Sequence, residues 1–179
     1  MNIVVLTGSS HKHGTSALLA DRFIQGAAEA GHSVKRFDTA YLKIHPCVAC
    51  DHCANGDNEC VFKDDMLEIF EALKAADLVA FVTPLYYHTM SAWLKAAVDR
   101  FYGINNFLCG APKKSALMVT AGDPDDWNFE GIKAWYKADM HYLEWEDIGQ
   151  IYAGGCNTLE DMQSTDFPTQ AYELGKNVM

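Results

Sequence analysis

The chain has 179 residues, of which 49% are hydrophobic, and a formal net charge of −10 at pH 7; this length suits a single domain, residues 1–179, with one core. The acidic balance disfavours a nucleic acid or an anionic membrane as partner, because their phosphate groups would repel it. The first apolar run is short and lacks the basic flank of a secretion signal, and no run approaches membrane-spanning length, so we expect a cytoplasmic protein.

Short β-rich runs alternate with longer runs of helical periodicity along the chain. This alternation predicts a parallel sheet covered by helices on both faces, with right-handed crossovers. One long irregular stretch, residues 40–63, interrupts the pattern, and a loop of that length in a compact domain is usually functional. Strands are predicted at residues 2–7, 33–38, 78–82, 115–120 and 147–152, and helices at 16–31, 65–76, 91–102, 130–142 and 169–176.

The segment that follows the first predicted strand, residues 8–16, is rich in Gly, Ser and Thr and leads into a helix. A helix N-terminus offers free N–H groups and a partial positive charge, so this segment, here called the phosphate loop, predicts an anion site. No lysine follows Gly14 and the pattern is not G-x-G-x-x-G, which disfavours a nucleoside triphosphatase and a dinucleotide site. A terminal phosphate monoester fits better; the alternative is a polar loop in which Thr15 or Ser16 merely caps the helix.

The third predicted strand is followed by Thr83-Pro84-Leu85-Tyr86-Tyr87-His88-Thr89-Met90-Ser91. Loops at the carboxyl ends of central parallel strands are where open α/β sheets bind ligands. Tyrosine rings can lie along a planar heterocycle, and free backbone N–H groups can bond its polar edge. We call residues 84–91 the ring loop. The alternative is that the tyrosines form an ordinary hydrophobic rim.

Four cysteines within residues 40–63 are spaced C-x2-C-x2-C-x6-C: Cys47, Cys50, Cys53 and Cys60. Two successive x2 gaps followed by a fourth cysteine suit an iron–sulfur cluster, and suit a four-cysteine zinc site less well. The alternative is a cysteine-rich loop on the substrate side, with free thiols or an adventitious disulfide. We call residues 46–63 the cysteine segment.

These motifs resemble one family. They are similar to motifs of the NADPH-dependent FMN reductase and iron–sulfur flavoprotein branch of the flavodoxin-like superfamily. The similar stretches are the phosphate loop, the run Thr-Pro-Leu-Tyr-Tyr with the following Met-Ser-Ala, Leu-Lys and Asp99-Arg100, and the cysteine segment continuing to Asp64-Asp65-Met66. The resemblance implies a three-layer α/β/α sandwich with strand order 2-1-3-4-5. It also implies a homodimer or homotetramer. It extends over most of the chain and is strongest up to about Arg100.

The resemblance implies a set of FMN contacts, listed here by the part of the cofactor they would touch. Phosphate contacts would be Ser9, His11, Thr15 and Ser16, with Gly14 giving room; isoalloxazine contacts would be Pro84, Leu85, Tyr86 and Tyr87. In the order 2-1-3-4-5 the loop after the fourth strand joins the same crevice, which adds Thr120 and Gly122 on the pyrimidine side. Asp123 is expected to be a turn residue, and Asp99 and Arg100 to serve packing or a salt bridge.

The function implied is that of an FMN-dependent oxidoreductase. NAD(P)H would reduce the flavin, and a quinone, a flavin, a nitro or azo compound, or a protein would accept the electrons. The cofactor carries that chemistry, so no catalytic side chain is expected. The alternative function is a non-enzymatic electron-transfer flavoprotein, with or without a [4Fe–4S] cluster on Cys47, Cys50, Cys53 and Cys60; related iron–sulfur flavoproteins use such a segment for a cluster.

Overall fold

The computed structural model of the protein describes residues 1–54 and 59–179. A five-stranded parallel sheet in the order β2-β1-β3-β4-β5 lies at its centre, and this confirms the predicted topology. The chain leaves β1 to one side for β2 and later returns to the other side for β3, so the order of strands reverses beside β1. The strands are β1 (Asn2–Thr7), β2 (Ser33–Asp38), β3 (Leu78–Pro84), β4 (Lys114–Thr120) and β5 (Glu146–Ala153).

Helices cover both faces of the sheet, as the alternating pattern predicted. They are α1 (Thr15–Glu29), α2 (Met66–Ala75), α3 (Ala92–Asp99), α4 (Asn105–Leu108), α5 (Glu130–Leu143), α6 (Leu159–Gln163) and α7 (Phe167–Lys176). The buried side chains of α1 and α7 belong to one hydrophobic cluster, and those of α2, α3 and α5 belong to the other. None of the described helices combines the length and the apolar character needed to cross a membrane.

The sheet separates the two clusters because side chains alternate along each strand. In β1, Ile3 and Val5 face the cluster of α1 and α7, whereas Val4 and Leu6 face the other one. All six residues from Leu78 to Thr83 in β3 are buried, as expected for a central strand of a parallel sheet. Packing in the core therefore fixes the positions of the carboxyl ends of the strands, where the loops of the site begin.

Helix α1 and helix α7 approach each other very closely. A Cβ atom on Gly26 would lie 2.1 Å from the carbonyl oxygen of Tyr172, and one on Gly175 would lie 2.1 Å from that of Phe23. Larger residues at either position would force the two backbones apart. The helix that begins at the phosphate loop is thus seated directly on α7.

The structure differs from the predicted elements mainly after the ring loop. The predicted helix 91–102 ends at Asp99 and continues as a 3₁₀ turn, Arg100–Ile104. Gly103 is a poor helix former, and it lies against Phe70, whose ring would be 3.0 Å from an added Cβ. Helix α6 was not predicted, although its capping box, Thr158 with Asp161, is a sequence signal for a helix start.

Candidate functional site

The phosphate loop begins in close contact with the start of α3. The Gly8 N–H donates to the Val82 carbonyl at 2.8 Å, which continues the pairing of β1 with β3. A Cβ atom on Gly8 would lie 2.5 Å from the Ser91 Oγ and 2.8 Å from the Leu94 Cβ. Glycine is therefore required here for the loop to pass beside the residues that open α3.

The N-terminus of α1 is free of capping side chains. Gly14 is the N-cap residue, no side chain bonds the first turn, and no acidic residue lies within it. Within residues 1–54 and 59–179, the backbone N–H groups of Ser10, Lys12, His13, Thr15 and Ser16 make no hydrogen bond. Several free donors at the positive end of a helix suit a phosphate group.

The hydroxyls predicted to bind phosphate are partly engaged within the protein. The Ser9 Oγ accepts the His11 N–H at 3.1 Å, which stabilises the loop from inside. The Ser16 hydroxyl is buried and lies 2.7 Å from the Thr120 Oγ1, and the Thr15 hydroxyl donates to the same atom at 3.3 Å. The structure thus brings Thr15, Ser16 and Thr120 together and ties the start of α1 to the end of β4.

Gly14 allows the phosphate loop to close on itself. Its N–H donates to the His11 carbonyl at 3.2 Å, and an added Cβ would lie 2.9 Å from the His11 Cβ. The space around Gly14 is filled by His11 rather than left open. The side chain of His11 is exposed, as are those of Lys12 and His13, so three basic residues line the outer rim of the loop.

The ring loop is a tight turn closed at its base. The Ser91 N–H donates to the buried Thr83 Oγ1 at 3.0 Å, and Ser91 then caps α3 through the Leu94 N–H. The Leu85 N–H donates to the Thr120 carbonyl at 2.7 Å. The loop is therefore anchored to β4 as well as to α3, and the Leu85 N–H is already used.

The tip of the ring loop has an unusual backbone. Tyr86 and Thr89 exchange two backbone hydrogen bonds, and between them Tyr87 and His88 have left-handed φ values of 47° and 66°. This geometry is that of a type I′ turn, which normally carries glycine or asparagine. The turn costs on the order of 1 kcal/mol or more per residue in strain, so other contacts must stabilise it.

Contacts with the segment before α5 hold this turn in place. The His88 Nδ1 lies 3.2 Å from the Asn128 carbonyl oxygen, and its ring centroid lies 5.1 Å from that of Trp127. Tyr87 is 98% exposed and Tyr86 47% exposed, whereas Pro84 and Leu85 are half-buried. The turn thus presents two tyrosine rings at the sheet edge. Sequence reasoning missed Trp127 and Asn128, because nothing in their spacing linked them to this loop.

The third loop lies at the same edge and packs against the loop that follows β5. An added Cβ on Gly122 would lie 2.1 Å from the Asn157 Oδ1. The Asp123 carboxylate accepts the Asp125 N–H at 2.9 Å, which is the turn role expected for Asp123. Gly122 itself is exposed beside the crevice.

The cysteine segment is closed at its base by one buried guanidinium. The Nη1 of Arg100 donates to the His45 carbonyl at 2.8 Å and to the Asp64 Oδ2 at 2.9 Å, and its Nη2 donates to the Asp64 Oδ1 at 3.2 Å. The Asp64 carboxylate also accepts the N–H groups of His45 and Met66. Both ends of the segment therefore meet at Arg100, which confirms that this residue has a structural role.

Burial and hydrogen bonding oppose each other at Asp64. Burial raises the pKa of its carboxyl, but the hydrogen bonds from Arg100 and from the His45 N–H outweigh burial, so the pKa is lowered. Arg100 itself is 2% exposed and lies over the Phe62 and Phe70 rings, and within the described residues its Nε has no hydrogen-bond partner. The ion pair of Arg100 with Asp64 thus joins a buried guanidinium to a partly buried carboxylate and is not a surface contact.

The four cysteines are near one another but are not arranged as a metal site. Burial raises the pKa of the Cys53 thiol, and the nearby Cys60, Cys47 and Cys50 add to the rise. Throughout the described parts of the chain, no group of three or more His, Cys, Asp or Glu side chains is placed to hold a metal ion. The observed arrangement therefore gives no support to a cluster on these cysteines.

A sequence model for a protein family described as NADPH-dependent FMN reductase matches residues 1–124. An iron-sulfur flavoprotein from Archaeoglobus fulgidus is 38% identical over 98 residues, which cover 55% of this chain and 49% of that protein. A second from the same organism is 28% identical over 141 residues, covering 75% and 64%. The chain thus spans between about half and two thirds of the length of these curated relatives.

Solved structures with the same fold include several oxidoreductases. An NAD(P)H:quinone oxidoreductase from Methanothermobacter marburgensis superposes with a TM-score of 0.78 at 20% identity, covering 98% of this chain and 94% of that one. An FMN-dependent NADH-azoreductase from Bacillus anthracis superposes with a TM-score of 0.69 at 16% identity, covering 98% of each chain. At this level of identity the likeness establishes the flavodoxin-like fold, and the predicted fold class is confirmed.

Proposed function

Because the chain belongs to the NADPH-dependent FMN reductase family, we propose that it is an FMN-dependent NAD(P)H oxidoreductase. Its electron acceptor would be a quinone, a flavin, a nitro or azo compound, or a protein. Bound FMN would supply the redox chemistry, because its ring accepts a hydride and passes electrons on. The protein would supply anchorage, orientation and a rim that selects partners.

One observation carries this proposal: an uncapped helix start and a loop of exposed tyrosines lie at the same edge of the sheet. The N–H groups at the start of α1 suit a phosphate, and the ring loop suits a flat heterocycle. The Thr120 carbonyl and hydroxyl connect the two loops through Leu85 and Ser16. A ligand with a phosphate at one end and a planar ring at the other would match both loops.

The predicted FMN contacts enter this proposal with different roles. Free backbone N–H groups would do most of the phosphate binding, with the hydroxyls of Ser9, Thr15 and Ser16 holding the phosphate loop in shape. In the ring loop, Leu85 would pack against the flavin, and the N–H groups of Tyr87 and His88, which make no hydrogen bond within the described residues, are available to its polar edge.

Replacing Thr15 by aspartate tests the phosphate site without weakening the helix. A carboxylate in the first turn of a helix is favourable for folding, but it would occupy the region of the phosphate and repel it. We expect the Thr15→Asp variant to lose FMN affinity by at least about 100-fold, since one close charge repulsion costs several kcal/mol when desolvated. Fluorescence quenching of FMN during titration measures this.

The matched control is Thr158→Asp, which places the same substitution at the N-cap of α6. It should leave FMN affinity unchanged. Equal affinity of the Thr15→Asp variant and the wild type would contradict the assignment of the phosphate loop. Failure of the wild type to take up FMN at all would overturn the proposed function.

A second candidate function is a non-enzymatic electron-transfer flavoprotein with a [4Fe–4S] cluster. The iron-sulfur flavoproteins among the relatives favour it, and the arrangement of the cysteines in the described residues gives it no support. Anaerobic purification, a visible spectrum and an iron assay separate the two. A flavin spectrum without iron, with NAD(P)H oxidised in the presence of a simple quinone, supports the reductase. About four irons per chain, as such a cluster requires, would support the carrier.

The surroundings of the protein complete the proposal. We infer that residues 1–179 form one domain and that the protein is cytoplasmic. We also infer that it assembles as a homodimer or homotetramer. Gel filtration with light scattering measures the assembly. The rates of oxidation of NADH and NADPH should be compared directly, because the proposal does not choose between these two electron donors.

A further inference from the structure

Tyr41 connects the start of the irregular stretch to the phosphate loop. It ends the 3₁₀ turn Thr39–Tyr41 that follows β2, and its hydroxyl donates to the Ser10 carbonyl. Tyr41 is 47% exposed, so burial alone does not account for its position. No feature of the sequence placed this residue in the site.

The Ser10 carbonyl oxygen must point away from an anion bound at the phosphate loop. A carbonyl oxygen that faces a phosphate would repel it, whereas N–H groups that face it attract it. The peptide between Ser10 and His11 is held at both ends: its oxygen accepts from Tyr41, and its N–H donates to the Ser9 Oγ at 3.1 Å. With this peptide fixed, the free N–H groups of the neighbouring residues keep one orientation.

The ring of Tyr41 also holds a cation at the rim of the loop. The Lys12 Nζ lies 4.7 Å from the ring centroid, within cation–π distance. In contrast, Lys35 and Arg36 of β2, which line the same 380 Å³ cavity, are paired with Glu68 and with Asp21 and Asp38. Lys12 forms no ion pair within the described residues, so its charge remains available to an anionic ligand.

Tyr41 is itself held firmly by the 3₁₀ turn. The buried Thr39 hydroxyl donates to the Thr7 carbonyl at 2.8 Å, and the Thr7 hydroxyl donates to the Asp38 carboxylate at 2.6 Å. These bonds fix the turn to the last residue of β1, where the phosphate loop begins. The tyrosine therefore approaches the loop from a rigid support.

We propose that Tyr41 is a positioning residue for the phosphate end of the cofactor: its hydroxyl orients the Ser10 carbonyl and its ring carries Lys12. The proposal rests on the proposed function, because it needs FMN to bind at this loop. It predicts that Tyr41 affects the affinity for the phosphate group and not that for the flavin ring.

Comparing FMN with riboflavin, which has the same ring without the phosphate, tests this directly. The Tyr41→Phe variant keeps the ring and loses the hydroxyl, so FMN should bind about threefold to tenfold more weakly, the range for one hydrogen bond. Riboflavin affinity should stay the same. The Tyr41→Leu variant also loses the cation–π contact, and FMN should bind about twofold to fivefold more weakly again.

The control is Tyr102→Phe, because Tyr102 is exposed to a similar degree, 49%, but lies beyond α3. It should change neither affinity. Equal losses for FMN and riboflavin in the Tyr41 variants, or no loss of FMN affinity, would overturn the role of Tyr41 while leaving the reductase proposal standing. A wild type that binds neither flavin would overturn both proposals, so the two failures are distinguishable.

Discussion

The phosphate loop and the cysteine segment follow neighbouring strands, but they are held in different ways. The phosphate loop is short and is attached to its neighbours along its length: to β3 through Gly8, to β4 through Ser16 and to the turn after β2 through Tyr41. The cysteine segment is long, with exposed Cys47 and Cys50, and is gripped at its two ends by Arg100.

This contrast shows two routes to an ordered loop. Several separate hydrogen bonds to neighbouring elements set the shape of the phosphate loop, so single changes there should act locally. One ion pair with a buried guanidinium sets the separation of the ends of the cysteine segment, so its loss should act on the whole segment. The described residues 49 and 51 of that segment also have left-handed φ values, 51° and 56°. Backbone strain of this kind is typical of segments with a function.

The substitution with the largest expected effect on this difference between the two loops is Arg100→Gln. It removes the buried partner of an ion pair and leaves the partly buried Asp64 carboxylate without its guanidinium, which should lower the free energy of unfolding by about 3 kcal/mol. The thiols of the cysteine segment should then react faster with a disulfide reagent. Urea denaturation and stopped-flow thiol labelling measure the two effects.

The matched control is the preceding residue, which is the last residue of α3. Asp99→Asn removes the exposed ion pair of Asp99 with Lys95 and should change the free energy of unfolding by less than about 1 kcal/mol. An Arg100→Gln protein as stable as this control, with unchanged thiol reactivity, would show that the segment is held elsewhere.

A smaller effect is expected at the phosphate loop from Gly8→Ala. The added Cβ would lie 2.5 Å from the Ser91 Oγ, so the loop and the start of α3 must separate, at a cost of about 1–3 kcal/mol. FMN affinity should fall, and thiol reactivity should stay at the wild-type value. Ser10→Ala, an exposed change in the same loop, serves as control. Faster thiol labelling in Gly8→Ala would contradict the independence of the two regions.

The smallest expected effect is on stability at acidic pH, and it tests the role of Asp64. Its pKa is lowered in the folded protein, so its stabilising contribution is complete above the ordinary pKa of an aspartate and is lost as the pH falls through the folded value. Below about pH 4, wild-type stability should fall more steeply than that of Asp64→Asn, by at most about 1.4 kcal/mol per pH unit for one proton.

Arg100→Gln should show the same shallow acid slope, because it removes the partner that lowers the pKa of Asp64. Unfolding curves at several pH values between 3 and 6 measure the slopes. Parallel slopes for the wild type and both variants would argue that the carboxylate does not depend on Arg100.

The sequence was sufficient for the sheet, because residues 78–82 are apolar throughout and the predicted strands alternate with helices of clear periodicity. Arg100 was expected to serve packing or a salt bridge, and the structure supplies its partner, Asp64, from a distant part of the chain. The left-handed Tyr87 and His88 could not be foreseen, since neither is glycine or asparagine. Tyr41 was missed because its role depends on a tertiary contact with Ser10.

The close seating of α1 on α7 through Gly26 and Gly175 has a consequence for the order of folding during synthesis. All five strands leave the ribosome before α7 does, so the apolar face of α1 lacks its full cover until the last described helix has emerged. The phosphate loop depends on α1 for its orientation. Cofactor capture by the nascent chain should therefore lag behind assembly of the sheet.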